Sequence, residues 1–465
     1  MTGLAGHPAW PAASEGLGPE AAYVRWTDAC ADAGWQPEPV AERVALADGL
    51  GRVTAGPVRA RWPAPRFDCA AMDGIAIQAG AAPPAGSSDL AGRWQLDPSS
   101  FVRIDTGEQM PPGFDTVVER ERVEYGADGS ASVRGPAPAG LHVRTQGEDF
   151  QAGQLLIPAG RRLRPVDLAA VAASGHTDLE VIRRPAVAII PTGDEIRPAG
   201  SPLRSGDVTD SNSIMLAAQT VAAGGFPIAW EVQPDDPRAI AEQIRLAAAE
   251  ADVVLVIAGS SAGRRDYTAA VLSEVGGLAV RGVAVRPGHP VLLGHARAGG
   301  TGGTGGTGGT GVTGSTAGPA GAARRASGRA VPVIGVPGYP LAAAVIFELF
   351  AVPLLAALQG VPRPDRQSRR ARLASEWTSS PDVEEWVPVA LGPSPHPQPS
   401  GATDVSVATP IGRGAGSISR LLHADAWWQI PIGQAKFASG EYIDVQLMPG
   451  AAPGPAAGTA ARLPL

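Results

Sequence analysis

Cysteine is nearly absent. Cys30 and Cys69 are the only two in 465 residues, which excludes a disulfide framework and a four-cysteine metal site. Charge is sparse as well, at 18% Asp, Glu, Lys and Arg, with a net charge of −7 and no long basic patch. A nucleic-acid partner held by phosphate neutralisation is therefore not expected. No run of eighteen apolar residues occurs, and the opening MTGLAGHPAWPAASEG lacks a basic start followed by an apolar core. No membrane association is expected, and a cytoplasmic location is the default.

Glycine and proline are abundant, at 60 and 45 residues. They imply many turns and at least one disordered segment. Residues 299–328 (GGTGGTGGTGGTGVTGSTAGPAGAARRASG) are low-complexity and predict a flexible excursion between two core strands. The length exceeds one ordinary core, so about two to four domains are expected.

The organising stretch is Pro185–Gly360. Short apolar runs (Ala186–Ile190, Val253–Ile257, Val331–Val336) alternate there with helix-like segments. That rhythm predicts a mostly parallel sheet covered by helices on both faces. Each run ends in a loop of small and polar residues: Pro191–Glu195, Gly259–Gly263 and Pro337–Pro340. Loops at the carboxyl ends of such strands are where open α/β sheets bind ligands.

Around this core the pattern is simpler. Residues 1–19 are expected to be loose, and Ala21–Ala31 to form a helix stopped by Gly34. Between Ile75 and Arg164 short strands alternate with turns, which predicts a mostly β module. Asp167–Ser174 follows Pro165 as a helix. Asp210 and Asn212 are placed to cap a helix over Ser213–Ala223. The segment LAVRGVAV before Arg286 reads as one strand, and Ala342–Leu358 as a helix that Pro353 kinks or ends. The remainder reads as short strands of a small β domain, where the pair Trp427-Trp428 more often supports a core than stacks on a ligand.

Several acids sit in turns: Asp73, Asp149, Asp194, Glu195, Asp235, Asp236 and Asp266. Each is either an Asx-turn or helix cap, with Asp210 and Asp235 the best candidates for capping alone, or part of a carboxylate cluster. A cluster would suit Mg²⁺ and hence phosphate chemistry. The loop Gly259–Gly263 either packs tightly or holds an oxyanion at a helix N-terminus. No Lys follows it, so it is not a Walker motif, and Ser260 and Ser261 lack an evident His/Asp relay.

Taken in order, Ala71-Met72-Asp73-Gly74, Thr106-Gly107-Glu108, Arg144–Asp149, Pro191–Glu195, Asp210-Ser211-Asn212, Asp235-Asp236, Gly259–Asp266, Pro287–Pro290 and Pro337–Pro340 resemble the motifs of molybdopterin molybdenumtransferases, the MoeA and gephyrin E-domain proteins. The resemblance runs from about residue 20 to the end. It implies a multidomain α/β plus β architecture: a mixed domain from 20–65 and 145–182, an inserted β-rich domain at 66–144, a molybdopterin-binding α/β domain at 183–361 and a C-terminal β domain at 362–465. It implies insertion of molybdate into adenylylated molybdopterin with Mg²⁺ and release of AMP. It also implies a homodimer, with a molybdoenzyme or cofactor-biosynthesis protein as a further partner.

On that resemblance Glu195, Asp73, Asp266 and Asp149 are the catalytic acids, and Asp235, Asp236 and Asp266 the metal ligands. Thr192, Gly193, Asp194, Gly259, Ser260, Ser261, Gly263, Arg264, Arg286, His289, Pro337 and Gly338 bind substrate. The chain departs from the family pattern at Ile75, at Ala258–Gly263, at Tyr339 and at Arg286-Pro287-Gly288-His289-Pro290, where two lysines are usual. His289 supplies less charge to an oxyanion than Lys, and Arg264 and Arg265 are expected to offset that. The altered loops resemble a divergent branch in which this region precedes a periplasmic-binding-protein-like domain, here absent or reduced to the C-terminal β region. The competing reading is a protein that binds or delivers the cofactor without turnover.

Overall fold

The structure is a computed structural model describing residues 16–81, 92–258, 264–298, 310–311, 328–393, 406–414 and 416–448. It divides into two compact units, one made of Ala41–Ile182 and the other of Met1–Val40 with Arg183–Leu465.

The Ala41–Ile182 unit is built from short antiparallel strands. Gly74–Ile77 lies between Phe101–Ile104 and Thr116–Glu119, and Ala131–Arg134 lies between Arg93–Leu96 and Val123–Tyr125. Ile75, Ile77, Trp94, Val118 and Val133 from both sheets share one buried cluster. Only glycine fits at position 74, because a Cβ there would stand 1.9 Å from the Val118 carbonyl oxygen. The helix Pro165–Ala173 starts on Pro165, with the Asp167 carboxylate accepting from the Arg164 backbone N–H at 2.8 Å and the Arg164 guanidinium at 2.9 Å. The Arg164 side chain is the main cause that holds the Asp167 pKa down, to about 2.

The second unit begins with helix α1 (Pro19–Asp32), whose Trp26 is fully buried. The sheet that follows comprises β1 (Ala186–Pro191), β2 (Phe226–Ala229), β3 (Val253–Ala258), β4 (Gly276–Arg281), β6 (Leu292–Arg297), β7 (Thr310–Gly311) and β8 (Ala330–Pro337), with β5 (Val285–Arg286) leaving it between β4 and β6. The strand order is β4-β6-β8-β3-β1-β2-β7. The central four, β8, β3, β1 and β2, are parallel, and antiparallel strands flank them on both edges.

Alternation along the strands explains the two-sided cover. Val187 and Ile189 face one buried cluster with Val253 and Leu255; Ala186, Ala188 and Ile190 face the other with Val254 and Val256. A strand covered on both faces reads as a continuous apolar run. The first face carries α1, α2 (Asn212–Ala222), α5 (Pro340–Ile346) and α6 (Val352–Leu358). The second carries α3 (Pro237–Glu250) and α4 (Arg264–Val275). Trp26 Nε1 donates to the Gly294 carbonyl at 2.7 Å and so docks α1 on β6.

The segment Pro340–Leu358 is long and apolar enough by length and composition to cross a membrane, with mean hydropathy 2.4, although no unbroken run of eighteen apolar residues occurs. It is interrupted by Glu348, and 78% of it is buried in this core. Pro353 does not end it: a π-helical turn at Phe347–Ala351 runs directly into α6, whose second residue is Pro353.

The C-terminal strands are β9 (Ser368–Leu373), β10 (Glu384–Gly392), β11 (Val407–Pro410), β12 (Ala426–Ile430) and β13 (Tyr442–Leu447). They close in the order β10-β11-β9-β13-β12 and back to β10. Trp427 and Trp428 are 4% and 3% exposed, so they belong to cores, as expected. LAVRGVAV is not one strand. Gly282, at φ 78°, breaks it, and β5 pairs in parallel with Glu384 and Glu385 of β10 instead. Within the 299–328 segment only Thr310–Gly311 and residue 328 are described, the former pairing with β2; its remainder and residues 1–15 lie outside the described residues.

Candidate functional site

Parallel β1, β3 and β8 end at the same edge of the sheet: Pro191 aligns with Ile257, and Ala258 with Pro337. A cavity of about 380 Å³ opens there, walled by Thr192, Glu195, Asp210, Asn212, Gly338 and Tyr339 among others. The loops after β1 and β8 therefore meet, as the strand topology requires. Gly259, Ser260, Ser261 and Gly263, which follow β3, lie outside the described residues, as do the side chains of Arg264 and Asp266 at the start of α4.

Thr192 is buried, and its hydroxyl donates to the Ile257 carbonyl at 2.9 Å, so it ties β1 to β3. Gly193 takes φ 141°, a conformation that L side chains rarely adopt. A Cβ there would stand 2.7 Å from Ile196 Cγ1 and 3.1 Å from Glu195 Oε2, so the bare glycine leaves room for the Glu195 carboxylate. Next to it, Asp194 and Asp235 are reciprocally joined. The Asp194 backbone N–H donates to Asp235 Oδ2 at 3.4 Å, and the Asp235 backbone N–H donates to Asp194 Oδ1 at 3.2 Å.

Asp236, by contrast, is the N-cap of α3, its Oδ1 accepting from the Arg238 N–H at 3.1 Å. In sequence Asp235 is a candidate for capping alone as well as a metal ligand on the resemblance; Pro237 at the first helical position makes Asp236 the cap instead. Asp210 does cap α2, accepting from the Ser213 N–H at 3.0 Å. Asn212 does not: it is the first residue of the helix, and its Nδ2 donates to the Gly338 carbonyl at 2.7 Å.

Arg286, His289 and Pro337 are not brought to this cavity. They line a second one, of about 610 Å³, together with Trp377, Trp386 and Arg413 of the C-terminal region. The reason is β5, which carries the Arg286–Pro290 loop onto β10. His289 Nδ1 pairs with the Val283 carbonyl at 2.8 Å, which ties the loop back on itself. In the wall of this cavity Glu385 is 2% exposed. Burial works to raise its pKa, but hydrogen bonds from Arg413 Nε at 2.9 Å and Trp377 Nε1 at 3.2 Å outweigh it and hold the carboxylate below its ordinary range. Tyr339 belongs to both walls and divides the two cavities.

Asp73 and Asp149 belong to the Ala41–Ile182 unit. Asp73 accepts from the Thr106 backbone N–H at 2.8 Å and hydroxyl at 2.7 Å, which hold its pKa below the usual carboxylate value. Asp149 pairs with Arg144 Nη2 at 2.8 Å.

Three family descriptions match the chain end to end in order: the MoeA N-terminal region (domain I and II) at residues 24–175, a probable molybdopterin binding domain at 188–357, and the MoeA C-terminal region (domain IV) at 370–448. Molybdopterin molybdenumtransferase 2 of Mycobacterium tuberculosis is 32% identical over 361 residues, covering 72% of this chain and 80% of that protein. The chain belongs to the molybdopterin molybdenumtransferase (MoeA) family. The molybdopterin molybdenumtransferase of Nostoc is also 32% identical, over 67% of this chain and 68% of its own. A solved MoeA protein of Pyrococcus horikoshii superimposes with a TM-score of 0.67 at 28% identity, covering 93% of this chain and 98% of that one. Membership places the chain among proteins of molybdopterin and molybdenum-cofactor handling. The match at 370–448 makes the C-terminal β region the family's own domain IV, not the remnant of a periplasmic-binding-protein-like domain.

Tyr339 lies in the Pro337–Pro340 loop that sequence placed at the pocket, whereas Thr209, Asp210 and Asn212 are wall residues to which sequence gave no part in binding. Asn212 stood in the Asp210-Ser211-Asn212 motif and was expected to cap the helix.

Proposed function

We propose that the chain is a molybdopterin molybdenumtransferase, inserting molybdate into adenylylated molybdopterin with Mg²⁺ and release of AMP, as a homodimer. The observation that carries the reading is the cavity at the carboxyl edge of β1, β3 and β8, where Thr192, Glu195, Asp210, Asn212 and Gly338 converge. Such an edge is the ligand crevice of an open α/β sheet, and here it carries acids suited to phosphate and oxyanion chemistry. In this reading Glu195 is the acid nearest the reacting phosphate, and the Thr192–Asp194 backbone shapes the pocket. Asp266, Asp73 and Asp149 are further candidate acids of the reaction.

The fit to Mg²⁺ rests on Asp194 and Asp235, adjacent hard-oxygen donors next to Glu195. Mg²⁺ is commonly held by one or two carboxylates plus substrate phosphates, without an all-protein cage. Among the described residues no cluster of three or more His, Cys, Asp or Glu is arranged to enclose an ion. When bound, the ion would offset charge on phosphate oxygens. Asp236 caps α3, whereas Asp235 stands against Asp194 through their reciprocal hydrogen bonds, which makes Asp235 the better ligand of the pair.

The test is AMP release from adenylylated molybdopterin mixed with molybdate and Mg²⁺. Wild-type protein is expected to release AMP, and Glu195→Gln to lose about 100-fold or more in rate while still binding the substrate. Tight binding without release by the wild type would select a cofactor-binding or delivery role instead.

A further inference from the structure

We propose that the larger cavity is a second ligand site, taking a small molecule with an aromatic body and a single carboxylate that Arg286 holds. At about 610 Å³ the cavity has the size of a small-molecule site. Trp377, Trp386, Val285, Pro337 and Leu341 give it an apolar wall. The polar edges of both indoles are already used: Trp386 Nε1 donates to Glu384 at 2.6 Å and Trp377 Nε1 to Glu385 at 3.2 Å. What the two side chains have left to offer is hydrocarbon. An aromatic body suits such a wall, because ring contacts with indole gain beyond plain burial.

The charges in the wall decide the rest. Glu385 accepts from Arg413 Nε at 2.9 Å, so these two offset each other. Arg286 is exposed, and among the described residues its guanidinium has no ion pair and no hydrogen bond. One positive charge is therefore left over beside apolar surface. A planar guanidinium takes a carboxylate through two parallel N–H···O bonds. A monoanion balances that charge. A dianionic oxyanion such as molybdate would bring a second negative charge against indole and valine, where an unpaired charge is costly. His289 turns its Nδ1 back to the Val283 carbonyl at 2.8 Å. The inference is independent of the smaller cavity, since Arg286, Trp377, Trp386 and Arg413 all lie outside its wall.

Binding to the full chain is measured by isothermal titration calorimetry with 4-biphenylacetate, its neutral isostere 4-biphenylacetamide, and acetate. The wild type is expected to bind 4-biphenylacetate about 10-fold more tightly than the amide, through the charge-assisted pair with Arg286. It is expected to bind it about 100-fold more tightly than acetate, through the buried rings. Arg286→Gln removes a side chain with no partner to lose, and should bring acid and amide within about threefold of each other; Arg286→Lys should restore part of the preference. Acid and amide bound equally by the wild type overturn the proposal, as does a preference for the acid that survives Arg286→Gln. Failure to bind 4-biphenylacetate overturns it too. Displacement of bound 4-biphenylacetate by equimolar molybdate assigns the cavity to a bare oxyanion and overturns it likewise. The wild-type comparisons need no variant and stand even where a substitution disturbs folding.

Discussion

Replacing Gly193 by alanine isolates the placement of Glu195 from the stability of the fold. The residue sits at φ 141°, where a side chain costs about 2 kcal/mol of backbone strain. For the unit formed by Met1–Val40 and Arg183–Leu465, that corresponds to a fall of about 3 °C in melting temperature. The added Cβ would lie 3.1 Å from Glu195 Oε2 and 2.7 Å from Ile196 Cγ1. At 3.1 Å the Glu195 carboxylate, the far end of a flexible chain, gives by a few tenths of an ångström, whereas Ile196 Cγ1 at 2.7 Å has to shift further.

The strain falls on the turn and on Ile196, and the chemical cost on Glu195. Displacing a reacting group by about 1 Å is worth on the order of 100-fold in rate, so a few tenths of an ångström is worth about 5-fold. Gly200→Ala is the matched control. Gly200 also has a positive φ, 86°, but nothing lies within 4 Å of its Cβ position, so it carries strain of about 1 kcal/mol without touching Glu195. The assays are a thermal melt and the AMP-release rate on both variants. Gly193→Ala is expected to lose about 5-fold in rate and Gly200→Ala less than about twofold. Equal rates in the two variants would refute the reasoning, because the turn would then hold Glu195 for no catalytic purpose.

Three further outcomes follow from other parts of the molecule. The pKa of Asp167 is depressed to about 2, so its stabilising effect is complete above pH 4, declines as the pH falls from about 4 to about 2, and vanishes below. Since Arg164 is 60% exposed, solvent screening limits the effect to about 1 kcal/mol, and Asp167→Asn should lower the melting temperature at pH 7 but not at pH 2. Arg413→Met should destabilise by about 2 kcal/mol by leaving Glu385 buried without its cation, discounted because Arg413 is itself 48% exposed; Glu385→Gln added to it should recover most of the loss in a urea titration. Burial pushes the Cys30 thiol up to about 12, and Cys69 is buried too, so a thiol reagent at pH 8 should label neither in the native protein and both in guanidinium.

The fold was legible where local pattern and global packing agree. Ala186–Ile190 and Val253–Ile257 are apolar at every position because both faces of the sheet are covered. The helices between them carry ordinary start and stop signals, such as Pro237 at the head of α3 and Gly224 after α2. What local pattern does not carry is partner choice. Nothing in LAVRGVAV says that its second half pairs with Glu384 and Glu385, about a hundred residues on. Nor does the apolar run Pro340–Leu358 announce that it will lie inside a domain, since the same composition suits a membrane. In both cases the deciding interaction is long-range.

The same distinction runs through the candidate site. Residue types in turns were readable, but their assignments depended on which atom faces which neighbour. Asp236 could have been recognised as the cap from Pro237 alone, which would have removed capping as a reading of Asp235. The place of Asn212 could not, because its amide is pinned by Gly338, 126 residues away. The Arg286–Pro290 loop shows the consequence for function. It departs from the family pattern in charge, and in sequence it counts as one more substrate-binding loop. In the structure β5 draws it onto the C-terminal strands, so Arg286 and His289 line the larger cavity with Trp377 and Trp386, while Glu195 and Asn212 line the smaller. A change in that loop therefore acts on the larger cavity first, and the Pro337–Leu341 segment, with Tyr339 in both walls, links that cavity to the one that holds the acids.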